Sequence, residues 1–261
     1  MKPKKLTIKI ITLFPKFVED FVENFGIVKR AVKLNLFDIK PINLRDFGLD
    51  ERKTIDNPPY GGGVGMVLRA DVLYKAIVSA RRVGSRPYPT GKQKKSKVIL
   101  LTPQGQKFNQ ATAQRLAKYD ELIFVCGRYE GFDERIRQFV DEEVSIGDYV
   151  LMGGELPALV ISEAVMRLKP GVLGKDESSY NESFSETSKI HGRENSRSLE
   201  YPQYTKPEVW KVGKKKLSVP KVLLSGHHKN IKEFRKLESE KRTKKRRPDL
   251  IKKKDEFGIM N

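Results

Sequence analysis

Three short segments hold residue types that could surround a small molecule: Leu-Thr-Pro-Gln-Gly at 101–105, Cys-Gly-Arg-Tyr-Glu-Gly at 126–131, and Ser-Ile-Gly-Asp-Tyr-Val-Leu-Met-Gly-Gly-Glu-Leu-Pro at 145–157. Glycine lets a backbone approach a ligand closely and turn with positive φ, and loops at the ends of neighbouring strands are where α/β folds bind ligands. Gln104, Tyr129, Glu130 and Tyr149 place polar and flat side chains among the exposed amides. The same glycines also suit the tight turns of an ordinary α/β domain. A fourth glycine run, Pro-Tyr-Gly-Gly-Gly-Val-Gly-Met at 59–66, fails both nucleotide-loop templates, because Met66 stands where G-x-G-x-x-G needs glycine and no G-x-x-x-x-G-K-[ST] occurs. Tyr60 there could stack on a base, or the run could be a flexible turn.

The elements that must position these loops follow from periodicity. Residues 6–13 alternate as a strand, Pro15 opens a helix to about Asn24, and residues 37–42 form a second strand followed by a charged loop over 43–57. Helical spacing over 71–82 is followed by a basic surface connection at 84–97. Residues 98–101, 122–125 and the run ending at Val144 read as strands, with helices at 109–118, 133–139 and 157–167. Alternation of strand and helix at this spacing predicts a largely parallel sheet covered by helices. Residues 174–204 lose periodicity and read as a linker, and a small domain with a basic helix from about Lys229 follows.

The formal net charge is +19, and it is unevenly spread. Residues 211–254 hold eighteen Lys/Arg against four Asp/Glu, whereas residues 119–155 hold ten acids against three bases. Bulk charge therefore assigns a polyanion such as nucleic acid to the C-terminal part and not to the glycine loops. No apolar run reaches the roughly 18 residues that a membrane span needs, and no signal h-region opens the chain, so a cytoplasmic protein without membrane contact is expected. One cysteine, Cys126 at the end of an apolar run, reads as a small buried hydrophobe, and with only three histidines no metal site is expected. Arg167, beside Pro170-Gly171, could cap a helix or hold an oxyanion, and any one of Asp176, Glu177, Glu182 and Glu186 reads first as solvated charge.

In order along the chain stand Ile-Thr-Leu-Phe-Pro at 11–15, Arg45-Asp46-Phe47, Pro-Tyr-Gly-Gly-Gly-x-Gly-Met, Pro-Gln-Gly, Cys-Gly-Arg-Tyr-Glu-Gly-x-Asp-Glu-Arg, Ser-Ile-Gly-Asp-Tyr-Val-Leu, Gly-Gly-Glu-Leu-Pro-Ala, Pro-Gly-Val-Leu-Gly, Tyr-Thr-x-Pro-Glu-Val, Val-Leu-Leu-Ser-Gly and Arg-Arg-Pro-Asp-Leu. Together these motifs resemble, nearly end to end, the bacterial tRNA (guanine-N1)-methyltransferase (TrmD) family of the SPOUT class. The resemblance implies an α/β fold with a mostly parallel sheet, helices on both faces and a C-terminal trefoil knot. It implies a knotted methyltransferase domain at 1–173, a linker at 174–204 and a small basic helical tRNA-binding domain at 205–261. It further implies a homodimer that moves a methyl group from S-adenosyl-L-methionine to N1 of guanosine-37, in the anticodon stem-loop of tRNA. A catalytically impaired RNA-binding relative, or an rRNA methyltransferase of the same class, is the alternative.

Carried over by motif, the resemblance implies cofactor binding by Leu101, Thr102, Pro103, Gln104 and Gly105, by Gly127, Tyr129, Glu130 and Gly131, and by Ser145, Ile146, Gly147, Asp148, Tyr149, Val150, Leu151, Gly153, Gly154 and Pro157. It implies substrate contacts by Asp56, Tyr60, Gly61, Gly62 and Gly63, and a catalytic pair in Glu182 and Arg167. Glu182 stands where the family has the aspartate of Asp-Ser-Phe, which keeps the proton acceptor and lengthens its reach by one C–C bond, about 1.5 Å. Arg52 and Asn57 replace a usual histidine and a frequent aspartate, and the stretch between Phe184 and Tyr201 is longer than usual.

Overall fold

The computed structural model describes residues 4–82, 95–173, 182–184 and 197–251, so most of the expected linker and of the basic connection at 84–97 lie outside the described residues. The chain divides into two compact units, Met1–Asp176 and Glu177–Asn261.

The first unit is built on five strands: β1 (Leu6–Thr12), β2 (Phe37–Asn43), β5 (Ser96–Lys107), β6 (Glu121–Cys126) and β7 (Glu142–Ser145). They lie in the order β2-β1-β6-β5-β7, and every pairing is parallel. Parallel neighbours need crossovers, and helices supply most of them. α1 (Pro15–Asn24), α2 (Gly26–Lys33), α4 (Gln110–Leu116) and α5 (Glu155–Arg167) pack on one face, and α3 (Ala70–Arg82) covers the other. The strands are buried on both faces: Leu122, Phe124 and Cys126 of β6 point into the four-helix side, and Ile123 and Val125 into the α3 side. Lys9 of β1 is buried on the α3 side, where its ammonium lies 2.7 Å from Glu121 Oε2 and donates to the carbonyl of Ala80 near the end of α3. A cation there complements a carbonyl in the last turn of the helix.

Several elements differ from the sequence expectation. α2 is an addition to it, since only Val28 and Ala31 of its eight residues are buried and Gly26 opens it. The helix expected at 133–139 is a 3₁₀ helix over Glu134–Phe139, with the Asp133 side chain accepting from Arg135 N. Inside the charged loop, β3 (Asp56–Asn57) pairs with β4 (Val67–Leu68), which makes the glycine run at 61–65 the tip of a hairpin. β5 continues through the segment expected to be a plain loop: Val144 of β7 stands opposite both Leu101 and Gln106, so residues 102–105 bulge out between the two alignments.

The second unit holds the antiparallel hairpin of β8 (Val209–Val212) and β9 (Lys215–Ser218), then α6 (Lys221–Leu224) and α7 (His228–Arg246). Residues 197–200 are tied to α7: Ser239 Oγ donates to the Leu199 carbonyl at 2.6 Å, and Leu199 N donates to Thr243 Oγ1 at 2.9 Å.

Gly105 closes the bulge against β7. A Cβ there would sit 2.5 Å from the carbonyl carbon of Glu143, which is backbone and cannot swing aside. Gly105→Ala should therefore force β5 and β7 apart and cost about 1–3 kcal/mol, the usual penalty of overpacking, read as a lowered urea midpoint at unchanged slope. A midpoint equal to that of the parent chain would show that the bulge adjusts freely.

Candidate functional site

The bulge of β5, the turn after β6 and the loop between β7 and α5 meet at one edge of the sheet and enclose a cleft of about 370 Å³. From the first segment it takes in Leu101, Thr102, Pro103 and Gln104, and from the second Gly127, Tyr129, Glu130 and Gly131. The third contributes Ser145, Ile146, Gly147, Tyr149, Val150, Leu151, Gly153, Gly154 and Pro157. Gly105 and Asp148 do not line it. Gly105 faces the backbone of β7, and the carboxylate of Asp148 turns outward to Lys107 Nζ at 2.6 Å. The apolar wall is formed by Leu101, Ile146, Leu151 and Pro157, while Val150 and Met152 stand 84% and 91% exposed at the mouth.

Arg128 and Met152, inside the expected segments but not named as site residues, also line the cleft, and so do Phe132, Glu134, Arg137 and Val144, which sequence reasoning missed. Arg137 donates to Gln104 Oε1 at 2.7 Å and pairs with Glu143 and, at 2.8 Å, with Glu134, so it holds the bulge to the 3₁₀ helix. The signal for Arg128 was present, since it stands between Gly127 and Tyr129 inside the motif itself.

Arg128 organises the third loop. Its Nη2 lies 2.8 Å from Glu155 Oε2, its Nη1 donates to the Met152 carbonyl at 3.3 Å, and its guanidinium stacks 4.3 Å from the ring centre of Phe14. Glu155, the first residue of α5, is buried, and its Oε1 accepts from Thr12 Oγ1 at 2.7 Å. The ion pair is close but poorly aligned, so Arg128 Nε and Glu155 Oε2 are buried without a hydrogen bond. Cys126 is buried in the apolar cluster on the four-helix side, and that burial, reinforced by the nearby Glu155 charge and opposed by Arg128, raises its thiol well above its ordinary range. Among the described residues no group of three or more His, Cys, Asp and Glu could hold a metal ion.

The glycine-rich hairpin is bound to the same cleft through backbone. Glu130 N donates to the Met66 carbonyl at 3.0 Å, Leu68 N to the Gly131 carbonyl at 3.0 Å, and Asp133 N to the Leu68 carbonyl at 2.9 Å. At its tip Gly61, Gly62 and Gly63 have φ of 86°, 83° and 132°, a region open to glycine at little cost, and the Tyr60 ring is fully exposed. Asp56 lies at the base of the hairpin, in β3.

The two expected catalytic residues are not among those that line this cleft. Arg167 ends α5, ten residues beyond Pro157, which is about 15 Å at 1.5 Å per residue. Glu182 belongs to the second unit, in the described segment 182–184. That segment is held firmly: Phe184 N donates to the Ser198 carbonyl at 2.8 Å, Glu200 N to Ser183 Oγ at 3.0 Å, and Arg247 covers the Phe184 ring. Phe184 adopts a φ of 69°, a strained value for a bulky residue that such contacts must sustain.

The family model for tRNA (Guanine-1)-methyltransferase TrmD matches residues 6–253. The chain is 45% identical over 248 residues to the tRNA (guanine-N(1)-)-methyltransferase of Sulfurihydrogenibium sp. (strain YO3AOP1), covering 95% of this chain and 88% of that protein. It is likewise 45% identical over 246 residues to that of Persephonella marina, covering 94% and 88%, and 44% identical over 247 residues to that of Clostridium botulinum (strain Eklund 17B / Type B), covering 95% and 93%.

Glu155→Ala would leave the Arg128 guanidinium without the carboxylate beside it. Losing one member of a buried pair costs about 3–5 kcal/mol, and a value near the lower end is expected because a quarter of the Arg128 side chain meets solvent. Chemical denaturation measures it, and a loss below about 0.5 kcal/mol would show that the pair does not order the loop. The thiol gives a pH test: the folded state keeps Cys126 protonated where the unfolded chain forms thiolate, so stability should decline as pH rises above about 8.5. A Cys126→Ala chain should lack this alkaline decline, and an equal decline in both would assign it to other groups.

Proposed function

Because the chain belongs to the tRNA (guanine-1)-methyltransferase TrmD family, we propose that it is an enzyme that transfers a methyl group from S-adenosyl-L-methionine to N1 of guanosine-37 of tRNA. The observation that carries this reading is the convergence of all three glycine segments on one cleft, in a chain that the family matches over residues 6–253. The residues present fit an adenosyl cofactor. Leu101, Ile146, Leu151 and Pro157 offer a flat apolar slot, and the glycine backbone leaves amides and carbonyls at the edges of a base and ribose. Glu130 on the lining offers a carboxylate to a cationic sulfonium, whereas Glu134 is paired with Arg137. When bound, that group supplies an electrophilic methyl.

The chain's own side chains then have two tasks. N1 of guanine carries a proton at neutral pH, and Glu182 accepts it. As the proton leaves, negative charge grows on O6, and Arg167 offsets it. The lining of Tyr129 and Tyr149 and the exposed Tyr60 present rings against which the target base can stack. The distance between Arg167 and the cleft along α5 supports a composite site, with Arg167 and Glu182 coming from the second copy of a homodimer. The knotted threading of the first unit, the cytoplasmic location, and the division of labour between a methyltransferase domain at 1–173, a linker at 174–204 and a tRNA-binding domain at 205–261 belong to the same reading. Among the described residues no helix is long and apolar enough to cross a membrane.

Methylation of tRNA transcripts that carry guanosine or adenosine at position 37 tests it: only the guanosine transcript should accept the methyl group. No transfer to either would leave an RNA-binding relative, and transfer to rRNA alone would move the substrate. Glu182→Gln should lose about 10² to 10⁴ in rate, the usual range for a general base, with cofactor affinity little changed, and Glu182→Asp should stay active. Full activity of Glu182→Gln would place the base elsewhere, with Asp176 or Glu177 next in line. Heterodimers of Glu182→Gln chains with Gly127→Val chains should regain activity, and a failure to do so would place each site within one chain.

A further inference from the structure

The hairpin of β8 and β9 has no core of its own. None of its eight residues is buried, seven of them are exposed, and Trp210, the only tryptophan of the chain, is 58% exposed. The register sets Trp210 opposite Leu217 and Val212 opposite Lys215, closed by Gly213 at φ 57°. Because strand side chains alternate, Trp210, Val212, Leu217 and Lys215 share one face, and Lys211 and Lys216 lie on the other. From residue 206 to 218 the charge is five lysines against the single Glu208. A two-stranded hairpin is marginal alone in water, and one that keeps an exposed indole among lysines is built for a polyanion that also carries flat rings.

We propose that this hairpin is an RNA-contact surface, in which Trp210 stacks on an unpaired base or on the end of a helix and the lysines at 211 and 214–216 meet the flanking phosphates. The inference rests on the tRNA reading above and adds to it an indole, which the basic helix α7 from His228 to Arg246 lacks. Charge complementarity names RNA as the occupant, and the exposed ring gives an attraction that salt alone does not abolish.

The single tryptophan makes the test direct. The full chain is titrated with a fluorescein-labelled tRNA transcript bearing guanosine-37, following anisotropy of the label and, with unlabelled transcript, tryptophan emission. Emission should be quenched with the same midpoint as the anisotropy change. Trp210→Ala should weaken binding about 5- to 150-fold, the range for loss of one stacked base, and Trp210→Phe should recover most of it. Replacing lysines 214–216 with glutamate should lower the slope of log affinity against log salt by about 0.7 to 0.9 for each phosphate that is no longer neutralised. Anisotropy that rises normally while emission stays flat and Trp210→Ala binds as the parent would overturn the hairpin contact and leave the tRNA reading standing. Absence of any anisotropy change would overturn both. Emission that shifts with protein concentration alone would show the indole face covered by a second copy, and would also overturn the proposal.

Discussion

The close approach of Gly154 to the end of β6 is the contact on which the rest of the site depends. Gly154 N donates to the Gly127 carbonyl at 3.0 Å, and a Cβ at 154 would fall 2.7 Å from Cys126 Cα and 2.9 Å from Gly127 N. No side chain fits between these two backbones. That contact fixes where α5 begins, and so where Glu155 is buried, and Glu155 in turn accepts from Thr12 and pairs with Arg128, which donates to the Met152 carbonyl. Three loops from different strand ends thereby form one wall. The buried charges cost desolvation that their mutual attraction only partly offsets, which argues that the network sets the position of the loop more than it adds stability.

Charge is spread unevenly along the chain. Two of the three cleft segments lie in the acidic stretch 119–155, while residues 211–254 hold eighteen Lys/Arg against four Asp/Glu. A polyanionic RNA would meet the field it prefers along residues 211–254.

Much of this was legible in the sequence. The alternation in residues 6–13 and the apolar runs at 98–101 and 122–125 marked strands of the central sheet, and the helices opened by Pro15 and near Pro157 were placed within a few residues. Burial on both faces makes such strands read as continuous apolar runs. What was missed depends on distant partners. Gly105 looked like a ligand-binding glycine, yet it is required because β7 passes under it, a packing that no local spacing reveals. Arg128 and Arg137 have their roles only because Glu155 and Gln104 come near in three dimensions. The hairpin at 209–218 escaped notice because its lysines hide the alternation of Trp210, Val212 and Leu217.

Calorimetric titration of S-adenosyl-L-methionine into the parent chain and into Gly154→Val, with far-ultraviolet circular dichroism as the check on folding, tests the central claim most directly. The account requires one site per chain in the parent and loss of binding in a Gly154→Val chain that keeps its helix and sheet content. Undiminished affinity in a folded Gly154→Val chain would contradict it, because the wall built on that backbone contact would then not be the wall that holds the cofactor.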